Sequence, residues 1–295
     1  MIMGIDVGYS HTKVYTSNGR DIFRSTVTNG IMDINVNAIK VKIAGNEYTV
    51  GENTGNFSVK LNKIDDAVFR LCLYTAVARN LPIGEDEVQL VIGLPVQYYK
   101  DQKLELKKAL EGIQVFLSLN DKPIRFKITK CVVFPQSAGV FVLHPDIFEG
   151  SNIVIDIGGM TVDVSYFNDM TLQDYRTYEL GMIKLYDKLV QNIKAEFGVS
   201  YDILNAEDII KNKRIFRDGE LIDCTDVVNT TLRTHASLII NRVMAGLSQY
   251  DTSQRHFIGG GSYILGEYLP VKAIKEDIYA NAEAFFKIGV ERFAS

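Results

Sequence analysis

The stretch Ile5-Asp6-Val7-Gly8, inside the opening GIDVGYSHTK, returns 150 positions later as Ile155-Asp156-Ile157-Gly158 inside IDIGGMTVDV. The flanks follow the same plan. Seven positions after each aspartate a polar residue precedes a valine, Lys13-Val14 in the first copy and Asp163-Val164 in the second. Each copy reads as an apolar strand ending in Asp, a tight Gly-bearing turn and a returning strand. Either one alone is an ordinary hairpin. A pair this far apart points to a duplicated domain, because solenoid repeats recur at a much shorter period.

Turns of this kind aim backbone N–H groups outward, and a glycine lets the backbone approach a phosphate closely, so that a few convergent N–H groups form an anion-binding nest. Two facing loops can grip one polyphosphate. The aspartates would then lie beside the phosphates and repel them, unless a divalent cation and its waters intervene, as Mg²⁺ commonly requires. The pattern therefore implies a magnesium nucleotide. A third glycine cluster, Gly259-Gly260-Gly261-Ser262, follows the apolar Phe257-Ile258 and reads as another loop touching ligand.

Other nucleotide signatures are absent. There is no GxxxxGK[ST] loop and no GxGxxG after the first strand, which excludes Walker-type and dinucleotide-binding chemistry. His144, His235 and His256 have no metal-ligand spacing and read as structural; His11 differs because it sits in the first loop. No GxSxG elbow or Ser-His-Asp order is found. Thirty-two basic against thirty-six acidic residues leave a formal charge of −4, too small to mark nucleic acid or an anionic membrane as a direct partner. Cys72, Cys131 and Cys224 are far apart and odd in number, so they read as buried thiols of a reducing, cytoplasmic compartment. The N-terminus lacks a signal-peptide pattern, and the most apolar run, Cys131 to Leu143, is too short to span a bilayer.

At 295 residues, 46% hydrophobic and 23% charged, the chain suits two globular α/β domains. The first fifty residues read as a meander of antiparallel strands, turning at Ser17-Asn18-Gly19 and Ala44-Gly45-Asn46. A helix follows over Ile64 to Asn80, then the strand VQLVIGLP, a helix from about Lys100 to Leu110, and strands around Val115 to Leu119 and Ile124 to Val133. The second half restarts the plan with a strand pair, a third strand in LQDYRTYELG and a helix over Ile183 to Phe197. Helices over Asn205 to Lys213 and Asp226 to Leu247, the strand in RHFIGGGS and closing helices complete it.

On these residues the chain resembles the actin-like ATPases, and among them the bacterial plasmid-segregation actins of the ParM type. GIDVGYSHTK looks like the first phosphate loop, FPQSAG the first connecting segment, IDIGGMTVDV the second phosphate loop, IGGGS the adenosine motif, and the helix from Asn281-Ala282 to Gly289 the second connecting segment. The resemblance implies an α/β, actin-like (ribonuclease H-like) fold of two related domains flanking a nucleotide cleft. Residues 1–150 form domain I, completed by a C-terminal helix over 278–295, and residues 151–277 form domain II.

It also implies roles. Asp6 and Asp156 would orient the waters around Mg²⁺. Gly8, Tyr9, Ser10, His11, Thr12 and Lys13, with Gly158, Gly159, Met160 and Thr161, would hold the phosphates. Gly181 in YELGM would let the backbone approach them. Gly259, Gly260, Gly261 and Ser262 would touch adenosine, and Glu207 and Lys211 in NAEDIIK would contact the nucleoside. NAEDIIK also fits a plain helix start, with Asn205 as N-cap and Asp208 three residues on. Gln136 would position the attacking water. The best-known plasmid actin has a glutamate in this segment, whereas eukaryotic actin has a glutamine. An amide is no strong base, but it can orient water by accepting one hydrogen bond and donating another; the other use of Gln136 is to cap the following helix.

The implied activity is ATP hydrolysis, with GTP left open, coupled to head-to-tail self-assembly into filaments. An adaptor protein that binds DNA would connect such a filament to a plasmid. A non-polymerising small-molecule kinase of the same fold, or an actin of cell shape or division, is the alternative. Phe285, Phe286 and Phe293 make the last helix amphipathic, as in a membrane anchor; the resemblance instead places that helix inside domain I, with no membrane partner.

Overall fold

The computed structural model describes residues 1–31, 38–52, 55–57, 62–145 and 149–293. The final two positions of the expected C-terminal helix, 294–295, lie outside the described residues. The chain divides into two compact units: Met1–Glu149 with Asp169–Thr171 and Asp277–Ser295, and Gly150–Asn168 with Leu172–Glu276.

The first unit is built on a ten-stranded sheet. Strand β1 (Ile2–Val7) pairs antiparallel with β2 (His11–Thr16), which pairs with β3 (Gly19–Arg24). The meander ends there. Strand β4 (Thr26–Asn29) lies at the far end of the sheet, between β6 (Asn46–Val50) and β7 (Asn56–Phe57), while β5 (Ile39–Ile43) forms a hairpin with β6. Its turn places both Ala44 (φ 49°) and Gly45 (φ 78°) in the left-handed region that a two-residue hairpin requires.

Helix α1 (Ala67–Asn80) starts later than Ile64, because Asp66 accepts the Val68 N–H at 3.0 Å and fixes the first turn. It is buried almost all round, from Leu71 to Ala78, so its apolar periodicity is blurred. Strand β8 (Glu87–Leu94) runs parallel to β1. Helix α2 (Val96–Leu110) starts directly after Pro95, whose fixed φ suits a helix entrance. Strand β9 (Gln114–Leu119) and the long β10 (Lys122–Pro135) form a hairpin, and β10 also runs parallel to β8. The short helix α3 (Val140–Leu143) follows.

The second unit holds a five-stranded sheet. Strand β11 (Ser151–Ile157) pairs antiparallel with β12 (Val162–Asn168), with β13 (Thr171–Tyr178) outside it. Helix α4 (Met182–Phe197) ends at Gly198 in the left-handed region, φ 71°. Helix α5 (Ala206–Asn212) follows a short 3-10 turn, Ile203–Asn205. Asp202, not Asn205, supplies the capping oxygen here, accepting the Leu204 N–H at 2.8 Å; the Asn205 side chain makes no cap bond. Strands β14 (Arg214–Arg217) and β15 (Glu220–Asp223) form a separate hairpin before helix α6 (Thr225–Gly246). Strand β16 (Gln254–Ile258) runs parallel to β11; helix α7 (Gly260–Ile264) and strand β17 (Ile274–Lys275) end the unit.

The last helix, α8 (Ala280–Phe293), belongs to the first unit and lies against β1. Gly4 makes this possible: a Cβ there would stand 2.2 Å from the Ala282 carbonyl oxygen and 2.3 Å from the Phe286 nitrogen. Phe285 is fully buried, with its ring edge-on to Phe134, and Phe286 stacks obliquely on Tyr15. Burial of the Phe285 side chain alone is worth roughly 2–3 kcal/mol. The aromatic face is thus spent on packing within the unit. Among the described residues no helix is long and apolar enough to cross a membrane.

Candidate functional site

The two aspartate hairpins have the same backbone register. Asp6 lies opposite Lys13 and Asp156 opposite Asp163. The Gly8 N–H donates to the His11 carbonyl at 3.1 Å, and the Gly158 N–H to the Thr161 carbonyl at 2.9 Å. All four residues facing one another across these strand pairs are buried. Asp6 and Asp156 each stand one residue before the end of their strand, β1 and β11, where it meets the loop.

In the first unit Asp6 gathers two predicted partners. The Gln136 Nε2 donates to its Oδ1 at 2.8 Å, and the Lys13 ammonium lies 3.8 Å from its Oδ2. Gln136 reaches it because β10 runs parallel to β8, next to β1, and ends at Pro135, with the Gln136 N–H donating to the Leu94 carbonyl. Gln136 does not cap α3, whose N-cap is Gly139. The turn is tied down from the side: the Ser25 N–H donates to the Ser10 carbonyl at 2.8 Å, and the Thr12 and Ser25 hydroxyls share a 2.8 Å hydrogen bond. His11 Nδ1 lies 3.3 Å from the Ser10 hydroxyl.

A residue that the sequence pattern did not single out joins this cluster. The Lys63 ammonium sits 3.7 Å from the centroid of the Tyr9 ring, and the residue is almost fully buried. Burial pushes its pKa down to about 8, against the pull of the Asp66 and Asp6 charges. Lys63 lies in the polar run NKIDD, without periodicity or a glycine turn; only a buried position makes it conspicuous.

In the second unit the loop is held by a helix. The N–H groups of Gly181, Met182 and Ile183, at the start of α4, donate to the carbonyls of Met160, Gly158 and Gly159 at 3.0, 3.0 and 2.8 Å. With these carbonyls turned to the helix, the Gly159 and Met160 N–H groups donate to no backbone carbonyl among the described residues. Gly181 has to be glycine: a Cβ would lie 2.3 Å from the Met160 carbonyl carbon and 2.4 Å from the Gly159 oxygen. Gly259, at φ 85°, packs against the strand end, where a Cβ would meet Asp156 Oδ1 at 2.3 Å; one at Gly261 would meet Ile157 Cγ2 at 2.2 Å. The IGGGS segment therefore joins the Asp156 loop. Ser262 spends its hydroxyl on the Gly259 carbonyl at 2.8 Å, closing the α7 turn.

Asp163 occupies the place of Lys13, facing another carboxylate. Two like charges directly opposite would destabilise the pair. Burial raises the Asp163 pKa above the usual carboxylate value, while the Thr177 and Thr161 hydroxyls, donating at 2.6 and 2.8 Å, pull it back. Glu207 accepts the Tyr186 hydroxyl at 2.8 Å, which ties α5 to α4, and Lys211 is exposed in the last turn of α5. The cysteines are free and buried, and burial pushes the thiols of Cys72 and Cys131 up to about 12.

Each hairpin, taken by itself, suits an anionic group: in the first unit Lys13 and Lys63 supply buried positive charge, and in the second the Gly159 and Met160 N–H groups donate to no backbone carbonyl among the described residues. Among the described residues no group of three or more His, Cys, Asp or Glu could hold a metal directly.

Comparison with known proteins bears on the family and the fold. Residues 4–139 match the model of the actin-like proteins N-terminal domain, and residues 154–271 that of the archaeal actin homologue MreB-like C-terminal domain. The chain has the actin-like fold and belongs to the actin-like ATPase superfamily. It is 26% identical to an archaeal actin homolog of Thermoplasma acidophilum over 96% of both chains. It is 28% identical to the actin-like protein MamK of Magnetospirillum gryphiswaldense, over 56% of this chain and 44% of that one. A 15-stranded ParM filament from Clostridium botulinum superposes with a TM-score of 0.83 at 22% identity, covering 98% of this chain and 99% of that one. An archaeal actin homolog in complex with ADP gives 0.82 at 23% identity over 99% of both chains.

Proposed function

We propose that the chain binds Mg-ATP with both aspartate hairpins acting on one polyphosphate, hydrolyses it slowly and polymerises head to tail. The observation that carries this reading is the shared register of the hairpins, Asp6 opposite Lys13 and Asp156 opposite Asp163, each closed by the same turn hydrogen bond. Support comes also from the fold-related archaeal actin homolog with ADP and from the fold-related ParM filament. When bound, the metal neutralises charge that builds on the phosphates.

The roles of the chain's own residues follow. Asp6 and Asp156 accept hydrogen bonds from the cation's waters and so orient them. Lys13 and the loop N–H groups hold the phosphate oxygens in place, so the electrostatic work is arranged before reaction. Gln136 would use its amide to orient a water, and its hydrogen bond to Asp6 holds that amide at the first hairpin. Gly259 to Ser262, Glu207 and Lys211 are assigned to the nucleoside. Contacts between identical subunits, head to tail, give an open helical filament when the rotation does not close.

The cargo in this reading is plasmid DNA, reached through a DNA-binding adaptor, since the net charge of −4 gives the chain no overall attraction for DNA. A second reading, a cytoskeletal role unrelated to plasmids, is favoured by the archaeal actin homologs among its sequence relatives. Light scattering and electron microscopy with Mg-ATP, Mg-GTP and no nucleotide test the proposal. Nucleotide-dependent filaments are expected; monomers that persist across a wide concentration range contradict it. Cosedimentation of a DNA-binding neighbour encoded beside this chain separates the two cargoes.

A further inference from the structure

Lys63 has no part in the mechanism above, yet it is the more deeply buried of the two lysines at the first loop, 3% exposed against 8% for Lys13. It is held from several sides. Its N–H donates to the Gln102 side chain of α2 at 3.4 Å, and its carbonyl accepts the N–H of Asp66, the cap of α1, at 3.4 Å. Its ammonium rests on the Tyr9 ring, with the Phe69 ring 5.4 Å away. Tyr9 is itself buried and lies inside the Gly8–His11 turn.

We propose that Lys63 is a positioning residue for the first phosphate loop: its cation–π contact fixes Tyr9, and through it the turn, while its charge draws an anion to the loop. The inference rests on the nucleotide reading. A buried ammonium is costly unless its surroundings answer it; this one rests on the Tyr9 ring and feels the Asp66 and Asp6 carboxylates, while burial pulls its pKa down to about 8. A lysine kept in such a place is expected at functional sites. Removing its charge should therefore weaken anion binding in a salt-dependent way, whereas the loss of a lysine that served only packing would lower stability without that salt dependence.

The test titrates Mg-ATP into the full chain and into Lys63→Met, Lys63→Arg, Tyr9→Leu and the Lys63→Met/Tyr9→Leu double variant, with thermal unfolding of each. Lys63→Met is expected to weaken binding about tenfold, more at low salt than at high. Lys63→Arg should recover most of the affinity, because guanidinium also stacks on aromatic faces. Tyr9→Leu should lose a similar factor, and the double variant little more than either single one. Unchanged affinity in Lys63→Met overturns the proposal, as does a loss that Lys63→Arg fails to restore and a fall in Tm accompanies. Wild-type chain that binds no Mg-ATP overturns the nucleotide reading and this one together.

Discussion

The hairpin at Asp6 and the hairpin at Asp156 share their register residue for residue, but different things stand behind them. The first is surrounded by side chains: Lys13 across the strand pair, Gln136 from β10, Lys63 against Tyr9 and Ser25 at the flank. The second is held by backbone: the start of α4 takes its carbonyls, and Gly181, Gly259 and Gly261 press against it. A duplicated frame has thus been filled in two ways, one with charged and amide side chains around its aspartate, the other with backbone hydrogen bonds from a helix start. The contrast at the position opposite each aspartate is sharpest. Lys13 answers Asp6 with a charge, whereas Asp163 faces Asp156 with a carboxyl whose pKa burial raises.

If backbone packing holds only the second loop, Gly181→Ala should be the most damaging change. The added Cβ meets loop backbone that cannot step aside, so a loss of about 3 kcal/mol is expected in urea unfolding, together with loss of Mg-ATP binding. If side chains do the chemistry of the first loop, Gln136→Ala should lower steady-state hydrolysis about 100-fold while Mg-ATP affinity changes little. Undiminished turnover would remove Gln136 from the reaction.

The opposed carboxyls give a pH test. A carboxyl with a raised folded-state pKa adds stability below its unfolded value, near 3.8, and loses it as pH rises through the folded value. Asp163→Asn removes this loss, so the variant should gain on wild type in urea midpoint as pH rises from the unfolded value of 3.8. A constant difference would mean that Asp163 ionises normally. The smallest effect compares the turn glycines. A Cβ at Gly8 would stand 2.9 Å from the His11 carbonyl oxygen, and one at Gly158 3.2 Å from the Thr161 oxygen. Gly8→Ala should therefore cost more than Gly158→Ala, by a few tenths of a kcal/mol.

The fold was legible because its repeat is written in short-range chemistry, an apolar strand, an aspartate and a glycine turn, twice over. Helix ends were legible at α1, α2 and α4, which stop at Asn80, Leu110 and Phe197 as expected, whereas two starts were misread: the Asp66 cap begins α1 at Ala67, three positions after Ile64, and α2 begins at Val96, four positions before Lys100. Long-range pairing was not readable: nothing local to Thr26–Asn29 says that β4 leaves its neighbour β3 to join β6 and β7. At the site, Asp6 and Gln136 were each visible from motifs, but their 2.8 Å hydrogen bond spans 130 positions. Lys63 escaped because a lysine in a polar run reads as solvated surface. Asp163 was seen as the counterpart of Lys13, but its two threonine donors come from separate strand ends.

Calorimetric titration of Mg-ATP into the wild-type chain and into Asp6→Asn and Asp156→Asn tests most directly whether both hairpins serve one ligand. The account predicts a single nucleotide per chain and, for each substitution separately, an affinity lowered about tenfold or more, as removal of a group orienting metal-bound water does elsewhere. Two independent nucleotides per chain, or full affinity after either substitution, would contradict it.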